Sequence, residues 1–144
     1  MLMGIKQMAV PKPEEYIFYR GRKFQVEFYY TDDGRLPAKE HFEAVGLQIQ
    51  VKLAALVKHI AEEGRLFDKS KFRIVDQAER MYEFKPREHR FFNFFCKGQK
   101  IIITNAYRKQ SQKLDKKELA KAIRMKRDYE QRLRSGGYYA QNKR

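Results

Sequence analysis

Between Met81 and Arg108 the chain offers three runs rich in aromatic and β-branched residues, over 81–85, 89–97 and 99–108. Only a turn containing Pro86 and a turn at Lys97-Gly98 separate them. Parallel neighbours need a crossover of a dozen or more residues, so connections this short admit antiparallel pairing alone. The centre of the fold is therefore expected to be a three-stranded meander, and the rest of the chain must pack against it.

The flanking segments supply what such a sheet needs. Residues 23–30 (KFQVEFYY) read as a first strand, and Thr31-Asp32-Asp33-Gly34 as the turn that ends it. Pro37 suits a helix start, where its missing N–H is no loss, and a short helix over 38–45 ends near Gly46. Residues 47–63 form a longer helix, with Ile49, Leu53, Leu56, Val57 and Ile60 at helical spacing; Gly64 stops it. Residues 67–79 are polar and irregular and read as a loop. A last helix spans 116–134, with Asp115 as N-cap and Glu118 completing a capping-box pattern. Leu119, Ala122, Ile123 and Leu133 share one of its faces; Lys116, Lys117, Lys121, Arg124 and Arg127 share the other. Residues 1–21 read as an N-terminal leader with little regular structure beyond a short extended piece at 16–19. Residues 135–144 read as a flexible tail. One domain over 22–134 is expected, of α+β class: a small, mostly antiparallel sheet with packed helices, in the order β-α-α-β-β-β-α.

Composition narrows the partners. Lys and Arg number 32 against 18 Asp and Glu, a net charge of +14, which suits a nucleic acid or an acidic protein. No apolar run approaches the roughly 20 residues of a membrane span, and Met1 to Val10 do not read as a signal peptide. Cys96 is the only cysteine, so no intramolecular disulfide forms, which suits a reducing cytoplasm. It reads as a strand residue. No Cys/His spacing of a zinc site and no glycine-rich phosphate loop is present; no metal or cofactor is expected.

The cations cluster at the ends of the meander strands: Lys85, Arg87 and Arg90 on one side, Arg108, Lys109 and Lys113 after the last strand. Where a strand end adjoins a neighbouring strand start, these groups would form a basic surface with aromatic neighbours. Such a surface holds phosphates on its cations and unstacked bases on rings or guanidinium planes. By alternation Arg90 points to the side of Phe92 and Phe94, so it either snorkels to water or serves a site. His89 is a candidate acid or base, since histidine titrates near working pH, or a turn-edge residue. Tyr107 would stack on a base, lose its proton more readily beside positive neighbours, or be structural. His41 and His59 lie in the first helices, away from the cluster. Lys97 and Lys100 flank a turn and read as solvated.

At these residues the chain resembles HigB-type members of the RelE/ParE toxin superfamily. The runs Met81-Tyr82-Glu83-Phe84-Lys85, His89-Arg90-Phe91-Phe92, Tyr107-Arg108-Lys109-Gln110-Ser111-Gln112-Lys113 and Lys117-Glu118-Leu119 are similar, in order and spacing, to that family's "YELR" strand, "YRVFY" strand, "FVKKTQKTP" exit and helix glutamate. The resemblance covers residues 24–129. It implies a RelE-like (microbial-ribonuclease-like) fold and a toxin of a type II toxin-antitoxin system. The implied activity is metal-independent mRNA cleavage, often on the ribosome, and the implied partner is a helix-turn-helix, HigA-like antitoxin. Arg90 matches the strand arginine near the scissile phosphate, Lys85 the basic residue of the preceding strand, and Lys109 and Lys113 the basic exit loop. The chain departs from the pattern at Gln110, where a second lysine is common, and at Asp115, which replaces a proline. The first tyrosine after Tyr107 is Tyr129, where RelE has one early in its C-terminal segment.

The expected chemistry is attack of a 2′-OH on the adjacent phosphate, which needs a base, cations for the pentacovalent state and a proton for the leaving oxygen. Arg90 and Lys85 would hold the phosphate, Tyr107 or His89 would stack or move protons, and Arg87, Arg108, Lys109 and Lys113 would bind the strand. Two other readings stay open: a ParE-like toxin that poisons gyrase on the same fold, and a non-catalytic RNA-binding module.

Overall fold

The computed structural model describes residues 10–139; residues 1–9 of the expected leader and 140–144 of the expected tail lie outside the described residues. In chain order the elements are α1 (Pro13–Tyr16), β1 (Ile17–Arg20), β2 (Gln25–Phe28), α2 (Pro37–Ala44), α3 (Leu47–Glu63), β3 (Phe72–Asp76), β4 (Met81–Phe84), β5 (His89–Cys96), β6 (Lys100–Arg108) and α4 (Lys116–Arg134). All six strands join one sheet in the order β1-β2-β6-β5-β4-β3.

The α+β class stands, but the sheet is larger and more mixed than expected. The meander β4-β5-β6 is antiparallel, as its short turns require. β2 runs parallel to β6, with Gln25 opposite Lys100 and Phe28 opposite Ile103. The chain between β2 and β6, through α2, α3 and the strands β3 to β5, is far longer than the dozen residues a parallel pairing needs. One strand escaped the sequence reading: β3 lies inside the expected loop. β1 nearly coincides with the short extended piece expected at 16–19 and pairs with β2. Both are edge strands of four or five residues with a bulge, and such short runs carry little periodicity.

The two faces of the sheet build separate cores. On one, Leu53, Val57 and Ile60 of α3 cover Val26, Phe28, Phe84, Phe91, Ile101 and Ile103. On the other, Ala122 and Tyr129 of α4 cover Met81, Phe92, Phe94 and Ile102. Tyr129, not Leu133, completes the inward face of α4, and Leu133 stays 42% exposed. Asp115 caps this helix, accepting from the N–H groups of Lys117 and Glu118 at 3.0 Å. The reciprocal half of the expected capping box is not made: the Glu118 carboxylate accepts from Asn105 and Lys121 instead. The chain end is also more ordered than expected, because Tyr138 is 1% exposed and stacks on Tyr30 with centroids 4.1 Å apart.

A bulge decides what the second face can do. Phe91 pairs with Ala106 but Asn93 pairs with Ile103, so two residues of β6 oppose one of β5. Strict alternation would put Tyr107 on the side of Ile101 and Ile103. The extra residue reverses the parity, and Tyr107 comes to lie on the α4 side, stacked on Phe92 at 5.7 Å.

Candidate functional site

On the α4 side, beyond the helix N-terminus, lies a cluster centred on Glu83. Cross-strand pairing places Arg73 (β3) opposite Glu83 (β4), Glu83 opposite Phe92 (β5), and Arg90 (β5) opposite Tyr107 (β6). Directly opposed residues share a face, so the alternation expected of Arg90 holds. Glu83 is 1% exposed. Its Oε2 accepts from Arg73 Nε at 2.8 Å and lies 3.9 Å from Arg90 Nε. The Arg90 side chain is only 11% exposed, and its Nη1 donates to the carbonyls of Arg87 and His89 at 2.6 and 2.9 Å. One carboxylate thus anchors two guanidinium groups.

Further cations gather around that pair. Lys85, after β4, donates to the Lys69 carbonyl at 3.1 Å. Burial, and then the positive charges of Arg73, Arg90 and Lys109, hold its ammonium below the ordinary lysine range, while Glu83 pulls the other way. Four cations from β3, β4, β5 and the β6–α4 connection therefore feel one another around a single buried acid. An open groove of about 490 Å³ reaches two of them, Arg90 and Lys109, and is completed by Glu88, Gln110, Ser111 and Gln112; Lys85 lines a groove on the α3 side, and Arg73 a third beside Tyr82.

The cluster is incompletely paired. Glu83 Oε1, Arg90 Nε and the Tyr107 hydroxyl are buried and make no hydrogen bond. Buried polar atoms are almost always satisfied. Three such atoms on adjoining side chains mark a place built to receive something polar.

The other expected site residues divide by position. Arg108 is an exposed neighbour of the groove and pairs with Glu88 at 3.5 Å. Lys113 is exposed in the connection to α4. Arg87 holds a left-handed backbone (φ 55°) in the β4–β5 turn and lines a different groove, on the α3 side, with Lys52 and Lys71. Tyr107 sits among the cations, but burial pushes its phenol above the ordinary value, the Asp115 backbone and Arg90 pull it back, and the charges of Glu83 and Asp115 push it up again. The expectation of an easily lost proton is therefore corrected: the environment favours the neutral hydroxyl. His89 points to the opposite face. Its ring is buried, with Nδ1 2.8 Å from Nε2 of His41, so His41 is not remote from the strand ends, as its helix position suggested. Burial lowers the pKa of both histidines. Lys100 is not simply solvated: it lies 3.4 Å from buried Glu27 and 4.1 Å over the Tyr139 ring. Cys96 is a half-buried strand residue whose thiol burial pushes up.

Sequence reasoning missed Arg73 and Glu83. Arg73 fell in the expected loop, so its strand register was invisible. Glu83 was noted only as part of a motif; its alternation with Lys85 was the available sign that the two share a face. Among the described residues no helix is long and apolar enough to cross a membrane, and no three His, Cys, Asp or Glu side chains gather as a metal-holding group.

No curated protein matches the chain. The family model for phage derived protein Gp49-like (DUF891) matches residues 40–127, from α2 to the middle of α4, including Arg73, Glu83, Lys85, Arg90, Tyr107 and Lys109. That match covers more than half of the residues, and the chain belongs to the Gp49-like phage-derived protein family, a family of toxin-antitoxin toxins related to the RelE-like ones.

Proposed function

We propose that the groove over Arg90 binds single-stranded RNA and cleaves it, that the protein is the RelE-like, HigB-type toxin of a type II pair acting in the cytoplasm on mRNA, free or on the ribosome, and that a HigA-like antitoxin neutralises it. One observation carries this reading: the buried carboxylate of Glu83 anchors Arg73 and Arg90, and Arg90 lines an open polar groove together with Lys109. Along that groove Arg90 and Lys109 outnumber the one acid, Glu88, which Arg108 also pairs. A phosphodiester is the ligand whose charge and oxygen geometry suit that surplus.

In this reading Arg90, with Lys85, stabilises the extra negative charge of the pentacovalent phosphate. Its guanidinium is already anchored by Glu83 and two backbone carbonyls, so little reorganisation accompanies the reaction. Glu83 is too deeply buried to touch RNA and acts by positioning Arg90. Lys109 and Lys113 position the strand, and Arg87 and Arg108 extend the basic track. Tyr107, kept neutral, is a hydrogen-bond donor to the reacting region and a ring beneath it. His89 would need to leave His41 to move a proton there.

That last point gives the non-catalytic reading its support: the groove is richer in cations than in a base. The test is cleavage of a single-stranded RNA, free and ribosome-bound, in EDTA. The wild type should cut without added metal, and Arg90→Ala should lose roughly a hundred- to a thousand-fold in rate, the usual cost of removing one preorganised electrostatic donor. Equal cutting by both proteins would remove Arg90 from the mechanism. RNA binding without cutting would leave a binding module, and inhibited DNA supercoiling without RNA cleavage would point to gyrase.

A further inference from the structure

Helix α3 has two apolar faces where a surface helix needs one. Leu53, Val57 and Ile60 are buried against the sheet. On the outward side Leu47 is 74% and Val51 59% exposed, and Ala54 and Ala55 continue the line at the next turn, also exposed. This spacing of four, then three or four, makes one stripe along the helix. Its alanines are small enough to let a second helix approach closely.

Positive charge borders most of the stripe, and acids enter only at the last turn, where Glu62 and Glu63 share a groove with Ala55, Lys58 and His59. From Leu47 to Ala61 the helix carries no acidic residue, and Lys52 and Lys58 flank the stripe, exposed. An open groove of about 470 Å³ begins at Ala55 and Leu56 and continues past Lys52 to Lys71, Lys85 and Arg87. An apolar ridge bordered by lysines fits a helix with an apolar seam bordered by Asp and Glu.

We propose that the outward face of α3 is a docking surface for an acidic amphipathic helix of the antitoxin partner. α3 covers the sheet face opposite Arg90, so this helix holds the toxin from behind the RNA groove and reaches it only at the Lys85–Arg87 rim. The proposal rests on the partner that a toxin-antitoxin family implies and not on RNA cleavage, so the two can fail separately.

The experiment places a photo-crosslinking amino acid at position 55 of the full chain, expressed in its own host, and sequences the captured peptide. The same label at Arg124, exposed on the far side, is the control. Position 55 should capture a segment rich in Asp and Glu with apolar residues every three or four positions, and position 124 should not. A Leu47→Asp/Val51→Asp double variant should reduce that capture about tenfold or more, the loss expected when anchor residues of an interface are removed. Both side chains are exposed, so an unchanged melting temperature shows that the fold survives. With the partner absent, the double variant should arrest growth as the wild type does. Capture of a basic or neutral segment, of RNA, of a second copy of this chain or of nothing overturns the proposal, as does capture unaffected by the two aspartates.

Discussion

Two polar clusters sit on the same face of the sheet, and they treat their hydrogen bonds oppositely. In the first, the Tyr138 hydroxyl accepts from the Tyr30 N–H at 2.9 Å, and the Tyr138 carbonyl accepts from the Tyr30 hydroxyl. Tyr29 donates to Asp128 at 2.5 Å, Tyr139 donates to Glu27 at 2.6 Å, and Arg132 bridges Asp128 and the Tyr30 carbonyl at 2.7 and 2.8 Å. At the other end, Glu83, Arg90 and Tyr107 are as buried but leave three atoms unpaired. The first arrangement spends polar groups on holding the fold together. The second keeps them available, at a cost in stability of about 1–3 kcal/mol for each buried group left unsatisfied.

The sharpest way to break this contrast is to delete the centre of the satisfied cluster. Tyr138→Ala removes a fully buried ring, its stacking on Tyr30 and the acceptor of the Tyr30 N–H. The expected loss is about 3–5 kcal/mol, read by urea denaturation. RNA cleavage per folded molecule should be unchanged. If Tyr138→Ala left the melting point where it was, the C-terminal residues would not belong to the fold.

Next in size is the buried acid of the other cluster. Glu83→Ala strands two guanidinium groups and should cost about 3 kcal/mol, the low end for breaking a buried pair, because Arg73 is part-exposed. Activity should fall mostly in kcat, with RNA binding retained or tightened, since the charge facing the groove becomes more positive. Glu83→Gln keeps an acceptor for Arg73 and should recover part of both losses. A pure rise in KM would mean that Glu83 does not position Arg90 for the reacting phosphate.

Tyr107→Phe probes the same cluster from its unpaired side. The hydroxyl makes no well-formed hydrogen bond in the free protein and loses only a weak interaction with the Asp115 backbone, so stability should change by less than about 1 kcal/mol. Cleavage should slow, because the hydroxyl that would meet the substrate is gone. A clear loss of stability would show that the hydroxyl has a partner in the free protein.

The contrast also explains what could be read in advance. The meander, both long helices and the side on which Arg90 lies followed from period-two and period-three-to-four patterns, which are local. The tyrosine cluster did not, because Tyr30 and Tyr138 are joined only by tertiary packing and two glycines before Tyr138 imitate a frayed end. Nor did the parity of Tyr107, which depends on a bulge at Thr104 and Asn105, two residues that carry no sequence signal of one. Of the cations at the strand ends, Arg90 and Lys109 line one groove, whereas Lys85 lines the groove on the α3 side. The acid that anchors Arg90 was not anticipated, because burial of a charged residue is invisible until its partners are placed.

The smallest expected effect lies on the opposite face, where His41 and His89 share one hydrogen bond of 2.8 Å. That bond needs at least one neutral ring. In the unfolded chain both titrate near 6.5; in the folded protein burial lowers both, the positive charge of His89 adds to the effect on His41, and Arg108 and Arg90 lower His89 against Glu88. Above pH 6.5 neither state binds these protons, and the pair contributes fully. As the pH falls below 6.5 the unfolded chain takes up protons that the folded protein resists, so stability declines until the depressed folded values are passed. The carboxylates held low by their partners, Glu40, Asp68 and Glu88 among them, lose their contribution only at lower pH, about 4 and below, which leaves the window between 6.5 and about 5 to histidine. His41→Gln removes one titrating ring and retains a donor and an acceptor. Urea denaturation from pH 8 to 5 should show a shallower decline for this variant than for the wild type, and two superimposable profiles would mean that the pair takes up its protons as readily folded as unfolded.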